Sequence, residues 1–521
     1  MRFMNTKYTK ALLFAALVAM PAAAQVDLHI ESAGIFGTWE PGGAAHFEFL
    51  VISEPRVPVM VTVTLAMPPG TTFSRSNASW SCRDAAPGIV CQRTLSPTLR
   101  NDLVVDVFMP SNTDGMYDYR GVARITSDQT DPKPANNEGS FHVTVYRTFD
   151  VTSDGDFGTG TLRAAIESAS ERCPPAPAAP PCRIRFASPL TIEPRTPLPP
   201  IRACGELWID GYTSVDDFPP PPITTPRRVM LSGAKVSDGD GLVVDSACNG
   251  RGFVVIRALA IGGFPGNGVT LRRGSGSEVI SSFIGTDASG LVARPNGLRG
   301  VSQEAGGITT IGGCVISGNG RSGIAVWAGA ARIGACRIGV GSDGRQLGNG
   351  ASGVFASSRT FAQVTDSTIA FNREFGVAFA PAAFESAVRR NAIFLNGSGT
   401  AVDWGMDGPG GGSLPPPVIT DAFWDAGKRQ TVVRGSTSGT NPFTTFDVDL
   451  YATAPGRRDA FAWIGSASLG VLVDQFGKFT FTTPFDLRGY AITAALSRWD
   501  VPDLPEASAS SEYCEAVAVH P

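Results

Sequence analysis

The sequence predicts an all-β protein, with a parallel β-helix set between N- and C-terminal antiparallel β-sandwiches. Three observations carry this. Gly 60 and Pro 39 in 521 residues, with 43% apolar and only 17% charged residues, describe a turn-dense chain with enough apolar matter for real cores. Short runs that alternate apolar and polar residues fill both ends of the chain. Between them an Asn-Gly motif returns at a nearly constant step, the mark of a solenoid. A chain of this length holds several domains.

The N-terminus reads as a targeting segment. Arg2, Lys7 and Lys10 precede the apolar stretch Ala11 to Met20, which is too short to span a bilayer. Pro21-Ala22-Ala23-Ala24 then supplies the small residues of a signal-peptidase site. Residues 1–24 are therefore expected to be a signal peptide cleaved near Ala24, which places the protein in the periplasm, the cell envelope or the extracellular space. The nine cysteines agree with an oxidising compartment. Cys82 and Cys91 are spaced like a pair, as are Cys173 and Cys182, with Cys204 and Cys248 a third pairing. Cys314 and Cys336 suit either a disulfide or two buried thiols, and Cys514 is left over. With no C-x-x-C and no Cys/His cluster, a zinc site is not expected.

Residues 25–147 hold period-two strands such as His46 to Ile52, Val59 to Met67, Asp102 to Met109 and Ser140 to Tyr146, separated by Pro-Gly and Asp-Gly turns. This is a β-sandwich. The segment from Ser127 to Val145, with Asp128, Asp131, Asn136 and Asn137 before the last strand, resembles the Ig-like conserved-repeat domains of bacterial surface proteins.

Residues 148–406 form the solenoid. Leu162, Ala165, Ile166 and Ala169 fall on one helical face, and Thr159 or Thr161 is placed to cap that helix. A strand followed by Gly-Thr-Gly-Thr-Leu-Arg-Ala-Ala-Ile resembles the opening segment of bacterial secreted right-handed parallel β-helix proteins of pectate-lyase-like fold. The resemblance implies a right-handed coil, with the helix plugging its open end. An open end exposes apolar core and unpaired strand edges that something must cover.

The repeat itself aligns Gly318 to Val326, Gly348 to Ala356, Phe371 to Phe379 and Leu395 to Val402 on Asn319, Asn349, Asn372 and Asn396, with steps of 30, 23 and 24 residues. Asn267 is a weaker copy. Ile316, Ile369 and Ile393 each stand three residues ahead of their Asn. Steps of this size suit a coil of three short strands, and the window from Trp208 to Trp404 suits seven or eight coils. Equivalent Asn residues about 4.8 Å apart can bond one another as a ladder. Ser282 to Gly297 and Cys336 to Gly350 also align, each carrying an extra Asp-bearing loop, so both inserts are expected on one side of the coil.

Asp407 to Pro417 reads as a Gly/Pro linker. Residues 418–521 hold short strands again and read as a small C-terminal β-sandwich. With the two resemblances, the full expectation is a right-handed parallel β-helix flanked by Ig-like antiparallel sandwiches. No C-terminal β-barrel pattern follows.

Composition excludes some functions. Without the first 24 residues, 40 basic stand against 47 acidic residues, and no basic run appears, so nucleic acid is not an expected partner. No apolar stretch is long enough for a membrane helix. Lyase or polygalacturonase carboxylate motifs are not recognisable, and all four histidines lie outside the solenoid. If the chain is an enzyme, Asp287, Asp343 and Arg345 in the paired inserts, with Asp366 and Arg373 one coil on, are the candidates. The competing reading makes them solvated turn residues. Asp238 and Asp240 are the candidates for a Ca²⁺ site, without the ligand set of an EF-hand, and no other cofactor is expected. The sequence therefore favours a non-catalytic adhesion or glycan-binding module acting on an extracellular glycan or surface protein. A polysaccharide lyase or glycoside hydrolase and a structural spacer are the alternatives.

Overall fold

The structure is a computed structural model that describes residues 25–521 apart from 36–41, 56, 87, 97–100, 111–117, 145–146, 174–180, 213–221, 247, 249–251, 274–275, 305, 382–385, 399–400, 406–413, 438–444, 458, 472–476 and 500–508. The expected signal peptide and most of the expected linker lie outside the described residues. The chain is all-β, and it divides into two compact units, Met1–Thr144 and Val145–Pro521.

The first unit is a two-sheet antiparallel sandwich. One sheet joins strands Asp27–Ile35, Ala44–Glu54, Asp102–Phe108 and Thr72–Ser76; the other joins Ser81–Ala85, Gly88–Thr94, Met60–Ala66, Asp118–Ser127 and Glu138–Thr144. Alternation puts Phe47, Phe49 and Val51 inward from one sheet and Val61, Val63 and Leu65 from the other. Phe141 meets Phe47 and Phe49 edge-on across the core, with ring centroids 5.6 Å apart in both pairs. The Cys82–Cys91 disulfide joins two neighbouring strands.

The second unit opens with the right-handed parallel β-helix. Three parallel sheets of nine, eight and seven strands run along it, and we call them the first, second and third faces. Seven successive turns of the coil place one short strand on each face, as in Gly276–Ile280, Phe283–Ile284 and Val301–Gln303. The core is built of columns rather than layers. On the second face Leu231, Ile261, Ile284, Ile316, Ile338, Ile369 and Ile393 stand in register in successive coils, all buried. The isoleucines ahead of each repeated Asn are members of this stack. The helix Leu162–Arg172 buries Leu162, Ala165, Ile166 and Ala169 at the N-terminal end, with the Thr161 hydroxyl accepting from Ala164 N–H at 3.3 Å. The pairs Cys173–Cys182 and Cys204–Cys248 are disulfides, whereas Cys314, Cys336 and Cys514 are buried thiols.

The Asn ladder is present. Asn296 donates from its side-chain amide to Asn319, Asn319 to Asn349, Asn349 to Asn372 and Asn372 to Asn396, at 2.9, 3.0, 2.8 and 3.0 Å. Asn267 is not a rung. It lies three residues further along its coil and bonds Thr270, while Phe264 fills the ladder position and its N–H donates to Asn296 at 3.2 Å.

A second polar column fills the corner between the first and second faces. Ser282 N–H donates to the Cys314 sulfur at 3.4 Å, Cys336 N–H to the Ser367 hydroxyl at 3.0 Å and Ser367 N–H to the Asn391 side-chain amide oxygen at 2.9 Å. The residue before each member, Ser281, Gly313, Ala335, Asp366 and Arg390, has a φ between 49° and 61°, so each coil bends here through a left-handed residue, most often not glycine.

The C-terminal sandwich contacts the last coil. Its three-stranded sheet (Val418–Asp425, Gln430–Ser436, Lys478–Thr483) packs against a sheet built on Thr445–Thr453, Ala462–Val471 and Ala491–Trp499. Ile393 of the final coil and Ala460 exchange backbone hydrogen bonds of 2.7 and 2.8 Å. Ser510 N–H donates to Ser386, and the Ser510 hydroxyl accepts from Val388 N–H.

Candidate functional site

The five sequence-picked residues are not drawn into one cluster. Both inserts leave the corner between the second and third faces as hairpin-like loops, pinned by the bridges Thr286–Ala293 and Val340–Gln346. They project from the same side, as their alignment predicted, and they lie on each other. Ser342 N–H donates to the Gly290 carbonyl at 2.9 Å, and the Ser342 hydroxyl donates to the Ser289 carbonyl at 2.8 Å. Loops packed this closely do not stand apart as the walls of a cleft.

Asp287 caps its own loop, accepting from the Ser289 hydroxyl at 2.8 Å and from Leu291 and Val292 N–H at 3.2 Å. Burial opposes its charge, but the Ser289 hydrogen bond and the N–H groups of Val292, Leu291 and Gly290 outweigh it and hold the carboxyl below its ordinary pKa. Asp343 pairs with Arg345 two residues on, at 2.8 Å on the surface, and that hydrogen bond holds it ionised too. Asp366 sits at the other corner of the second face, on the left-handed bend. There it pairs at 2.7 Å with Arg390, the same position of the next coil. Arg373 is an exposed turn residue beside the Asn ladder. Carboxylates held low and paired are poorly disposed to act as proton donors near neutral pH.

Of the two Ca²⁺ candidates, Asp240 is similarly engaged. Asp240 accepts from Asn267 N–H at 2.7 Å and the Thr270 hydroxyl at 2.8 Å, and Asp238 is an exposed turn residue. Among the described residues no three His, Cys, Asp or Glu side chains gather as a metal site. A crevice of about 20 Å³ lined by Leu271, Arg273, Gln303 and Thr309 has room for about one water.

The chemistry gathers instead on the outer side of the third face. Outward positions in successive coils are Thr270, Ser302, Ala325, Phe355 and Ala378, in register. Most are small and fully covered. Beside this column stands a cluster from the flanking turns. Trp327 follows its strand directly, is held by Trp327 N–H donating to the Gln303 carbonyl at 2.8 Å, and leaves 40% of its surface exposed. Its ring lies 5.0 Å from that of Phe355 in the next coil. The Arg299 guanidinium, from the preceding coil, lies 4.9 Å from the Trp327 ring centre. Burial and the neighbouring Arg321 hold Arg299 below its ordinary pKa, against the opposing pull of Glu304. Arg321 N–H donates to the Leu298 carbonyl at 2.7 Å, which sets the two arginines in adjacent turns. Glu304, the counterpart of Trp327 one coil back, is 3.5 Å from Arg272.

No family model matches the chain, and no curated protein matches it. Among solved structures, full-length tailspike protein 2 of the Escherichia coli O157:H7 bacteriophage CAB120 aligns over 87% of this chain and 83% of its own, at 11% identity and a TM-score of 0.26. The ASH/PapD-like domain of human CEP192 aligns over 27% of this chain and 94% of its own, at 12% identity and a TM-score of 0.13. Neither superposition is close enough to bear on what this chain does.

The sequence reading missed Trp327, Arg299, Arg321 and Phe355. The signal was within reach of the repeat alignment. In the position after each third-face strand, Glu304, Trp327, Ser357 and Ala380 follow one another, and a lone tryptophan among small and polar residues on an outer column has no core to fill. No helix among the described residues is long and apolar enough to cross a membrane.

Proposed function

We propose that this is an exported, non-catalytic binding protein whose third face takes a glycan across Trp327. The single observation that carries the reading is the half-exposed Trp327 ring, braced by Phe355 and Arg299 on an otherwise small-residue strand face. An exposed aromatic ring carried on a rigid coil offers an apolar body to the C–H face of a sugar, at little cost in side-chain order. Export is supported by the N-terminal targeting pattern and by three disulfides in separate parts of the chain. The non-catalytic reading is supported by the carboxylates of the inserts, each spent on a loop cap or an ion pair. The proposed binding needs no cofactor.

The test is affinity electrophoresis of the chain from Gln25 in gels carrying soluble polysaccharides. Retardation that Trp327→Ala weakens at least tenfold, with the melting temperature unchanged, is the expected result. Retardation that Trp327→Ala leaves intact removes the site. New reducing ends during the same incubation, lost in Asp287→Ala or Asp343→Ala, restore the enzyme alternative.

A further inference from the structure

We propose that the buried Arg227 guanidinium is a receptor for a small organic carboxylate, held on its Nε–Nη2 edge against the outer side of the second face. The site is separate from Trp327 and does not rest on the glycan reading. Among the described residues two arginines are buried, Arg389 and Arg227. An exposed arginine without an ion pair is solvated by water, and a buried one is not. Arg389 gives Nε and Nη2 to the two oxygens of Asp449, at 2.8 and 2.9 Å. Arg185, Arg390 and Arg488 hold Asp150, Asp366 and Asp486 by the same edge. In Arg227 both nitrogens of that edge are shielded from solvent, and neither has a hydrogen-bond partner among the described residues. No other arginine among them leaves the whole edge buried and unbonded.

Register builds the surroundings. Met230, Ala260, Phe283 and Val315 are outward residues of the second face in successive coils. Ala260, Phe283 and Val315 are buried there, with Ile223, Met230 and Ala288 packed on them. Ile223 and Arg227 belong to a strap, residues 222–228, that leads into the strand Val229–Ser232. Arg227 N–H ties this strap to the Ala288 carbonyl of the first insert at 2.8 Å, and the guanidinium lies 4.2 Å from the Phe283 ring centre. Pro222, Thr224, Pro226 and Arg228 of the strap are exposed, so the site lies just beneath the surface. A guanidinium stays protonated at neutral pH even when buried, so the edge keeps its charge. Its two parallel N–H groups match the two oxygens of a carboxylate. The apolar walls accept the organic part of such an acid, whereas doubly charged phosphate or sulfate costs more to strip of water.

The experiment melts the chain from Gln25 in sodium acetate and in sodium chloride of equal ionic strength, at neutral pH. A saturable rise in melting temperature of about 1–2 °C in acetate over chloride is expected. It should vanish in Arg227→Met and Arg227→Gln and persist in Arg228→Gln. Saturation-transfer NMR of acetate reads contact without reference to stability. It should give a signal with the parent and with Arg228→Gln, and none with either Arg227 variant. No rise and no transfer with the parent overturns the site, and so does a response that both Arg227 variants keep. Sodium sulfate that stabilises the parent as far as acetate overturns the choice of a carboxylate. Asp216 and Asp217, which lie outside the described residues, supply the internal alternative. An acetate response that appears only in Asp216→Asn/Asp217→Asn overturns the external ligand, by showing that the chain fills the edge itself.

Discussion

Arg389 and Arg227 are both buried cations, at 4% and 5% exposure, and their surroundings differ completely. Arg389, on the last strand of the first face, donates to Asp449 at 2.8 and 2.9 Å and to Asp447 at 3.0 Å. It fixes the final coil to the C-terminal sandwich. Arg227 has neither an ion pair nor a hydrogen bond from its Nε and Nη2 among the described residues; its guanidinium lies 4.2 Å from the Phe283 ring centre. Burial accordingly lowers its pKa, while for Arg389 the opposing pull of Asp449 and Asp447 overcomes burial and raises it. Removing one partner of a buried pair strands the other charge, so Arg389→Met should cost about 3–5 kcal/mol in denaturant unfolding. Arg227→Met removes a charge nobody neutralises and loses only a stacking contact. It should leave stability within about 1 kcal/mol of the parent or raise it. Equal losses in the two variants would show that shape, not charge, decides both sites.

The coil corners are the elements that hold the solenoid's polar atoms, and they were legible to different degrees. Asn349 accepts from Asn319 N–H and side-chain amide, and donates to the Ile316 carbonyl and to Asn372. Deleting that side chain strands two buried donors of Asn319, so Asn349→Ala should cost about 3 kcal/mol. Asn267→Ala, off the ladder, should cost about 1 kcal/mol. Thermal or denaturant melting of the two variants checks this, and similar costs would argue that the ladder adds nothing beyond the isolated bonds that Asn267 makes to Thr270 and Arg299. The ladder could be read from sequence because one residue type recurs at one spacing. The corner through Ser282, Cys314, Cys336, Ser367 and Asn391 does the same work with three residue types, so no repeated letter marks it. Of that column the sequence offered only the two thiols, as one of two possibilities. Asn267 misled because the dipeptide Asn-Gly matched while its coil position did not. The proposed binding face was harder still, since no rule of burial fixes the residue types of an outward column. Likewise Asp366 meets Arg390 rather than Arg373 because a left-handed bend aims equivalent residues of adjacent coils at each other, which spacing alone does not reveal.

At the scale of the whole molecule, a parallel coil is stable only if both of its ends are closed. At the N-terminal end the helix Leu162–Arg172 lays four buried side chains on the first coil. At the other end the C-terminal sandwich does three things at once. Ala460 pairs with Ile393 and Ser510 with the strand at Val388, so the edges of the second and first faces do not end in solvent. The Arg390 N–H donates to the buried Tyr451 hydroxyl at 2.9 Å. The Glu512 carboxylate accepts from Trp404 N–H at 3.1 Å, and the Trp404 ring stacks on Phe379 at 4.0 Å. The sandwich is therefore a cap as much as a domain, whatever linker precedes it. A chain ending at residue 405 exposes these strand edges together with the apolar column at Ile393 and Trp404, and it should self-associate at micromolar concentration by light scattering, at the expense of monomer. A milder variant separates edge exposure from loss of the sandwich itself. Ala460→Pro keeps the whole sandwich and removes the one N–H that it gives to Ile393, so it should lower the melting temperature of the solenoid while leaving the chain monomeric. A truncated chain that stays monomeric and melts with the parent would mean that the solenoid closes itself, and that the sandwich is free to serve as a separate module.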